Sequence, residues 1–197
     1  NAANDVLVGN VGGQAAVQSL LDGHRLKGVW ASPPEKVMQT QIAGLDWKPE
    51  YSFARTFWNE RDTLSPEARS VNLDAYLQDP YDAATPVGIA TGLARLKRGE
   101  LLSPASTDLL LKIMGQTATG PSRLPAGLSP GWTLAHKTGT GQVWGAVATG
   151  FNDVGIMTAP DGRSYAVAVM IAQPRRPVSE RQELMAAVAR AVVAHHD

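Results

Sequence analysis

The 197-residue sequence contains no cysteine. That excludes a disulfide scaffold, thiolate metal ligation and a cysteine nucleophile, and it leaves the redox compartment open. Net charge is absent as well, with 18 Lys and Arg against 18 Asp and Glu. A chain whose main partner is nucleic acid or an anionic membrane carries a basic surplus, so neither is expected here. No apolar run approaches the ~20 residues of a membrane span. His24, His195 and His196 lack metal-ligand spacing with carboxylates, so neither a metal nor a cofactor is expected. What is present is enough apolar content, 44% against 18% charged, to bury a real core rather than remain disordered. The chain opens on Asn1 and runs straight into a helix-like stretch, which reads as a beginning cut away.

Two regimes follow along the chain. Residues 1–130 read as mostly helical, with an irregular loop region over 23–82, and residues 131–197 as strands closed by a helix. Helices are expected over Ala2–Gly9 and Gln14–Leu21, from Pro34-Glu35, and from Ser65-Pro66-Glu67 to Tyr76 or Leu77, where Asp79-Pro80 stops the last. Two more run over Val87–Lys97 and from Ser103-Pro104. Thr133–Thr138 reads as a strand, and Gly145–Thr158 as a second one interrupted at Asn152-Asp153. Pro160-Asp161-Gly162-Arg163 is a hairpin turn leading to Tyr165–Ala172, a strand apolar enough to be buried on both faces. A last helix spans Ser179–His195. The sum is an α+β arrangement: an antiparallel sheet with packed helices, plus a helical subdomain. Three strands this apolar call for further strands beside them, which the sequence does not offer.

The sharpest chemical signal is Lys137-Thr138-Gly139-Thr140-Gly141 at the end of a strand. A lysine flanked by hydroxyls on an edge strand can hold an anionic group by charge-assisted hydrogen bonds, and the glycines let a substrate approach the backbone. His136 alternates away from Lys137 and is read as a support rather than a base. Glu67 reads as a first-turn helix acid favoured by the dipole, with a catalytic role for it arising only from the resemblance that follows.

Lys-Thr-Gly is the third motif of the class A β-lactamases and penicillin-binding proteins, and here it stands in context. Asp79 to Pro86, Gly99 to Pro104, Thr119-Gly120-Pro121-Ser122-Arg123, Gly131-Trp132, Asn152-Asp153-Val154-Gly155 and Pro160-Asp161-Gly162 surround it in order. The succession resembles the penicillin-recognising serine hydrolases, most closely the class A β-lactamases, over nearly the whole chain apart from Leu26–Asn72. The resemblance implies an α/β sandwich of the β-lactamase and transpeptidase type whose N-terminal strands are missing. It makes Asn1 the last residue of the family's S-D-N loop, a contact for the acyl side chain of the substrate. Lys137 becomes catalytic, and Arg123, Thr138, Gly139 and Thr140 bind the substrate carboxylate.

The nucleophile of that family is the serine of S-x-x-K, and no serine here qualifies: Ser32 is followed three later by Glu35, Ser52 by Arg55, Ser129 by Trp132. The nucleophile is therefore expected on an N-terminal segment of the same protein. Counting back from Asp82 by the family spacing, the deacylating carboxylate falls on Arg69 and its amide partner on Leu73, with Glu67 and Asn72 nearby but out of register. The implied activity is hydrolysis of β-lactams through an acyl-enzyme, in the periplasm or outside the cell, as in antibiotic resistance. A D-Ala-D-Ala carboxypeptidase or esterase, or a non-catalytic penicillin-binding protein, is the alternative.

Overall fold

The computed structural model describes residues 2–78 and 82–196. It divides into two compact units, one of residues 1–84 with 142–146 and one of residues 85–141 with 147–197. The boundary thus falls well before residue 130, because the two helices that follow residue 84 pack against the strands. Asp79-Pro80 and Tyr81 lie outside the described residues.

The first unit is helical: α1 (Ala2–Asn10), α2 (Gly13–Gly23), α3 (Glu35–Ala43), α4 (Thr56–Asp62) and α5 (Pro66–Gln78), with a 3-10 turn at Pro49–Ser52. Helix α3 begins behind Pro34, which has no side-chain cap to offer. Asp5 of α1 supplies the cap instead, accepting from the Glu35 and Lys36 N–H groups at 2.7 and 3.1 Å and satisfying two of the donors that a helix start leaves open. Met38 and Ile42, four apart on α3, meet Leu73 of α5 in the core of this unit, with Tyr76, Leu77 and Trp144 around them. Trp144, on the short strand β2 (Val143–Trp144), donates to Ser70 Oγ at 3.0 Å and carries the Arg69 guanidinium 3.7 Å above its ring.

The second unit holds α6 (Pro86–Lys97), α7 (Pro104–Gly115), β1 (Thr133–Thr140), the short β3 (Val147–Ala148), β4 (Phe151–Thr158), β5 (Ser164–Ile171) and α8 (Val178–Ala194). Helix α7 starts at Ser103-Pro104 as the sequence predicts, and α6 starts one residue before the expected Val87. Thr85 and Ser103 accept from the N–H three residues on, and Pro86 and Pro104 occupy the first helical position. Strands β1, β4 and β5 form an antiparallel sheet in that order. Helix α6 packs on β4 and β5, α7 on β1, and α8 on β5 and on the 3-10 turn Leu124–Gly127.

Two strand expectations need correction. Asn152 and Asp153 do not interrupt a strand; they sit in the β1–β4 ladder opposite Gly139 and Thr138. They read as a break because polar residues are rare in a buried strand, and these are retained by partners described below. Strand β5 is not buried on both faces: only Val167 among its residues is buried, since β5 lies at the end of the sheet order.

Leu124, Met157, Val167 and Ala189 make the core beneath α8. Gly127 is what allows the turn to lie against that helix, because a Cβ there would stand 2.1 Å from the Ala186 carbonyl oxygen and 2.7 Å from the Ala189 Cβ. Gly127→Ala is therefore expected to destabilise the protein by about 1–3 kcal/mol through overpacking. Chemical denaturation checks this, and an unchanged midpoint would show that the turn yields instead.

Candidate active site

In the second unit, β1 carries the Lys-Thr-Gly-Thr run along the edge of the sheet, and alternation sets its faces. Lys137 pairs with Val154 while His136, Thr138 and Thr140 pair with Gly155, Asp153 and Phe151, so the lysine and the two threonines leave opposite faces of the strand. Lys137 is exposed, and its Nζ is bonded to the Thr138 carbonyl oxygen. The Thr138 hydroxyl lies 2.7 Å from that of Thr119. Gly120, with φ at +69°, brings that threonine's turn close: a Cβ there would come within 2.7 Å of Thr138 Cγ2.

Arg123 is 8% exposed. Its Nη1 donates to the main-chain oxygens of Gly139 and Asn152 at 3.0 and 2.6 Å, and its Nη2 donates to Thr140 Oγ1 at 2.6 Å. The guanidinium also lies 3.8 Å over the Phe151 ring, while its buried Nε has no partner among the described residues. Burial pulls its pKa down and the nearby Asp153 opposes that. Arg123 thus sits beneath the β1 end, joining β1 to β4, rather than presenting a free fork at the surface. Because Thr140 Oγ1 accepts from the arginine, its own proton is turned toward another acceptor.

Asp153 anchors the arrangement. Its side chain is fully buried; Oδ1 lies 2.7 Å from His136 Nδ1, and Oδ2 accepts the Leu124 N–H at 3.1 Å. One carboxyl group therefore fixes the residue before Lys137 and the residue after Arg123. His136, 3% exposed, is a support, as its alternation implies.

The expected carboxylate does not fit as well. Glu67 is exposed in the first turn of α5. The family-spaced positions are structural: Arg69 stacks on Trp144 and Leu73 is in the core. Asn72 donates to the Ala68 carbonyl, one turn back on its own helix. A different carboxyl group in the first unit has the required environment. Glu35, the first residue of α3, is half-buried, and burial pushes its pKa up; Asp5 and Asp82 push the same way, and a hydrogen bond from Gln39 Nε2 at 2.9 Å opposes them. Its signal in the sequence is a glutamate opening a helix with an amide residue four positions later, which by itself marks Pro33-Pro34-Glu35 as a helix start. Asn1 lies outside the described residues. Among the described residues, no group of three His, Asp or Glu side chains could hold a metal ion, and no helix is long and apolar enough to cross a membrane.

An edge strand of this composition, cross-tied to its neighbour by a buried arginine within a helix-backed antiparallel sheet, defines a protein of the penicillin-recognising serine hydrolase superfamily. The chain belongs to the beta-lactamase enzyme family, whose pattern it matches over residues 1–196. It is similar to beta-lactamase VEB-1 of Pseudomonas aeruginosa, at 26% identity over 96% of this chain and 53% of that one. Among solved structures it is similar to a beta-lactamase from Chitinophaga pinensis, with a TM-score of 0.73 and 25% identity over 98% of this chain and 59% of that one. It is also similar to a PBP-A mutant captured as an acyl-enzyme complex with penicillin G, with a TM-score of 0.62 and 27% identity over 95% of this chain and 53% of that one. The chain thus spans little more than half the length of these relatives.

Two outcomes check the site's energetics. Asp153→Ala strands the His136 ring nitrogen and the Leu124 N–H, and is expected to cost about 3 kcal/mol in chemical denaturation; a neutral result would mean that water replaces the carboxyl group. A carboxyl whose pKa is raised on folding contributes stability below its unfolded value of 4.5, and that stability is lost as pH rises through the folded value. Glu35→Gln should therefore raise the melting temperature relative to the parent, by more at pH 7 than at pH 4. A difference independent of pH would contradict the raised pKa.

Proposed function

We propose that this chain carries most of the substrate-binding and deacylating apparatus of a serine β-lactamase. The observation that carries the reading is the Lys137–Thr140 strand end backed by the buried Arg123. It places two hydroxyls over a buried positive charge on one face of the strand end, which suits the carboxylate of a β-lactam, and an exposed ammonium on the other. Thr138, Gly139 and Thr140 receive the carboxylate, Arg123 polarises Thr140 from beneath, and two further roles are assigned by resemblance, Lys137 to catalysis and Asn1 to the acyl side-chain amide. The nucleophilic serine is assigned to an N-terminal segment of the same protein. Its oxygen attacks the β-lactam carbonyl, the C–N bond breaks, and the ring nitrogen takes a proton, leaving an ester.

Hydrolysis of that ester needs a base for water. Glu35 is assigned this role in place of Glu67, because burial and two neighbouring carboxyl groups raise its proton affinity. It takes a proton from water as the oxygen adds to the acyl carbon; collapse returns the serine and releases the opened product. Periplasmic or extracellular placement, and a part in antibiotic resistance, are carried over with the family.

A second reading, a D-Ala-D-Ala carboxypeptidase, an esterase or a non-catalytic penicillin-binding protein, is favoured by one observation. The family-spaced positions for the base and its amide are held by Arg69 and Leu73, both committed to packing.

Turnover of a chromogenic cephalosporin by the full-length protein separates the two. Glu35→Gln is expected to slow turnover about 10²–10⁴-fold, with the acyl-enzyme accumulating in intact-mass spectra, whereas Glu67→Gln leaves turnover within about twofold of the parent. Stoichiometric acylation of the parent without turnover would establish the second reading, and loss of turnover in Glu67→Gln alone would return the base to that residue.

A further inference from the structure

The Glu35 carboxyl group is at the end of a chain of amides that begins outside its own helix. Gln142, half-buried and following directly on the Lys137–Gly141 run in the sequence, places its Nε2 2.7 Å from both the main-chain oxygen and the side-chain Oε1 of Gln39. Gln39 Nε2 donates in turn to Glu35 Oε1. An amide side chain can turn either end toward a neighbour, but here the choice is made. A main-chain carbonyl only accepts, so the end of Gln142 that faces it is the NH2. That NH2 requires an acceptor on the Gln39 side chain. Gln39 therefore meets Gln142 with its C=O and has its own NH2 left for Glu35.

We infer that Gln142 is a positioning residue, which holds the Gln39 amide with its NH2 toward Glu35 and so keeps Glu35 hydrogen-bonded in the form that can accept a proton. The inference rests on the assignment of Glu35 as the deacylating base. Without Gln142, the Gln39 amide is free to reverse, and a C=O turned toward Glu35 bonds only to the protonated acid. The other charged groups around Glu35 make this matter. Asp5 of α1 and Asp82 both disfavour ionisation, and the Lys36 ammonium is engaged 4.4 Å above the Trp47 ring. The charge of the N-terminus favours ionisation, and the Gln39 NH2 is a side-chain donor that counters burial more strongly.

The test is a double-mutant cycle in the full-length protein, read by carbon-detected titration of the Glu35 carboxyl group and by deacylation rate against pH. Gln142→Met, which keeps the side-chain length and removes the NH2, is expected to move the Glu35 midpoint to higher pH. It should also lower deacylation below that midpoint by about three- to tenfold, the worth of one hydrogen bond, with acylation unchanged. Gln39→Met should produce the same shift, and adding Gln142→Met to it should do nothing further, because the relay is already cut. A Glu35 midpoint unmoved by Gln142→Met, or additive shifts in the double variant, overturns the inference while leaving the base in place. An ordinary Glu35 midpoint in the parent together with normal deacylation by Glu35→Gln overturns the base assignment itself.

Discussion

The Asp153 carboxyl group is the point on which the second unit turns. A carboxyl group with no exposed surface is tolerated only when its oxygens are occupied, since leaving one unsatisfied costs a few kcal/mol. Its two oxygens are met by the His136 ring and the Leu124 N–H. These contacts also pin the register between β1 and β4. A slip of one residue would send Thr138 and Thr140 to the other face and take Lys137 with it, so the chemistry of the strand end depends on a polar contact in the core. Arg123 reinforces the same seam by bonding to both strands. The polar residues that look like a break in β4 are thus what aligns it.

The first unit meets the opposite requirement. There the carboxyl group proposed as the base is held in place without being over-stabilised as an anion. Asp5 takes the main-chain N–H groups of Glu35 and Lys36, which anchors the start of α3 while leaving the Glu35 side chain with a neutral amide donor from Gln39. Had those cap donors gone to the Glu35 carboxyl group itself, its pKa would fall rather than rise. Position is thus supplied by the backbone and proton affinity by the surroundings.

Much of this was legible in the sequence because it is local. The helix starts at Ser65-Pro66 and Ser103-Pro104, the hairpin turn and the Lys137–Gly141 strand end each follow from a few adjacent residues. Contacts between residues far apart in the chain were not. Arg123 reads as a surface cation from its motif, yet its fork is turned inward onto Gly139 and Asn152, 16 and 29 residues away. Asp153 reads as a turn residue until His136 is set beside it. Glu35 was missed for a related reason. The count back from Asp82 assumes constant spacing through a segment that this chain has rebuilt, and no spacing rule reveals that Asp5 and Asp82 lie near one glutamate.

The two carboxyl groups also show why burial by itself does not identify the chemical one. Asp153 is the more buried, but both its oxygens are committed to donors within the fold. Glu35 is only half-buried, and a side-chain amide, that of Gln39, is bonded to it rather than a group that holds two strands together. A general base must accept a proton and release it again without the surrounding structure rearranging, and that demands a site whose packing does not depend on the proton. On that criterion Glu35 suits the base role proposed for it better than Asp153 would. In the proposed relay, Gln142 and Gln39 are the means by which a half-buried carboxyl group keeps its base form within reach.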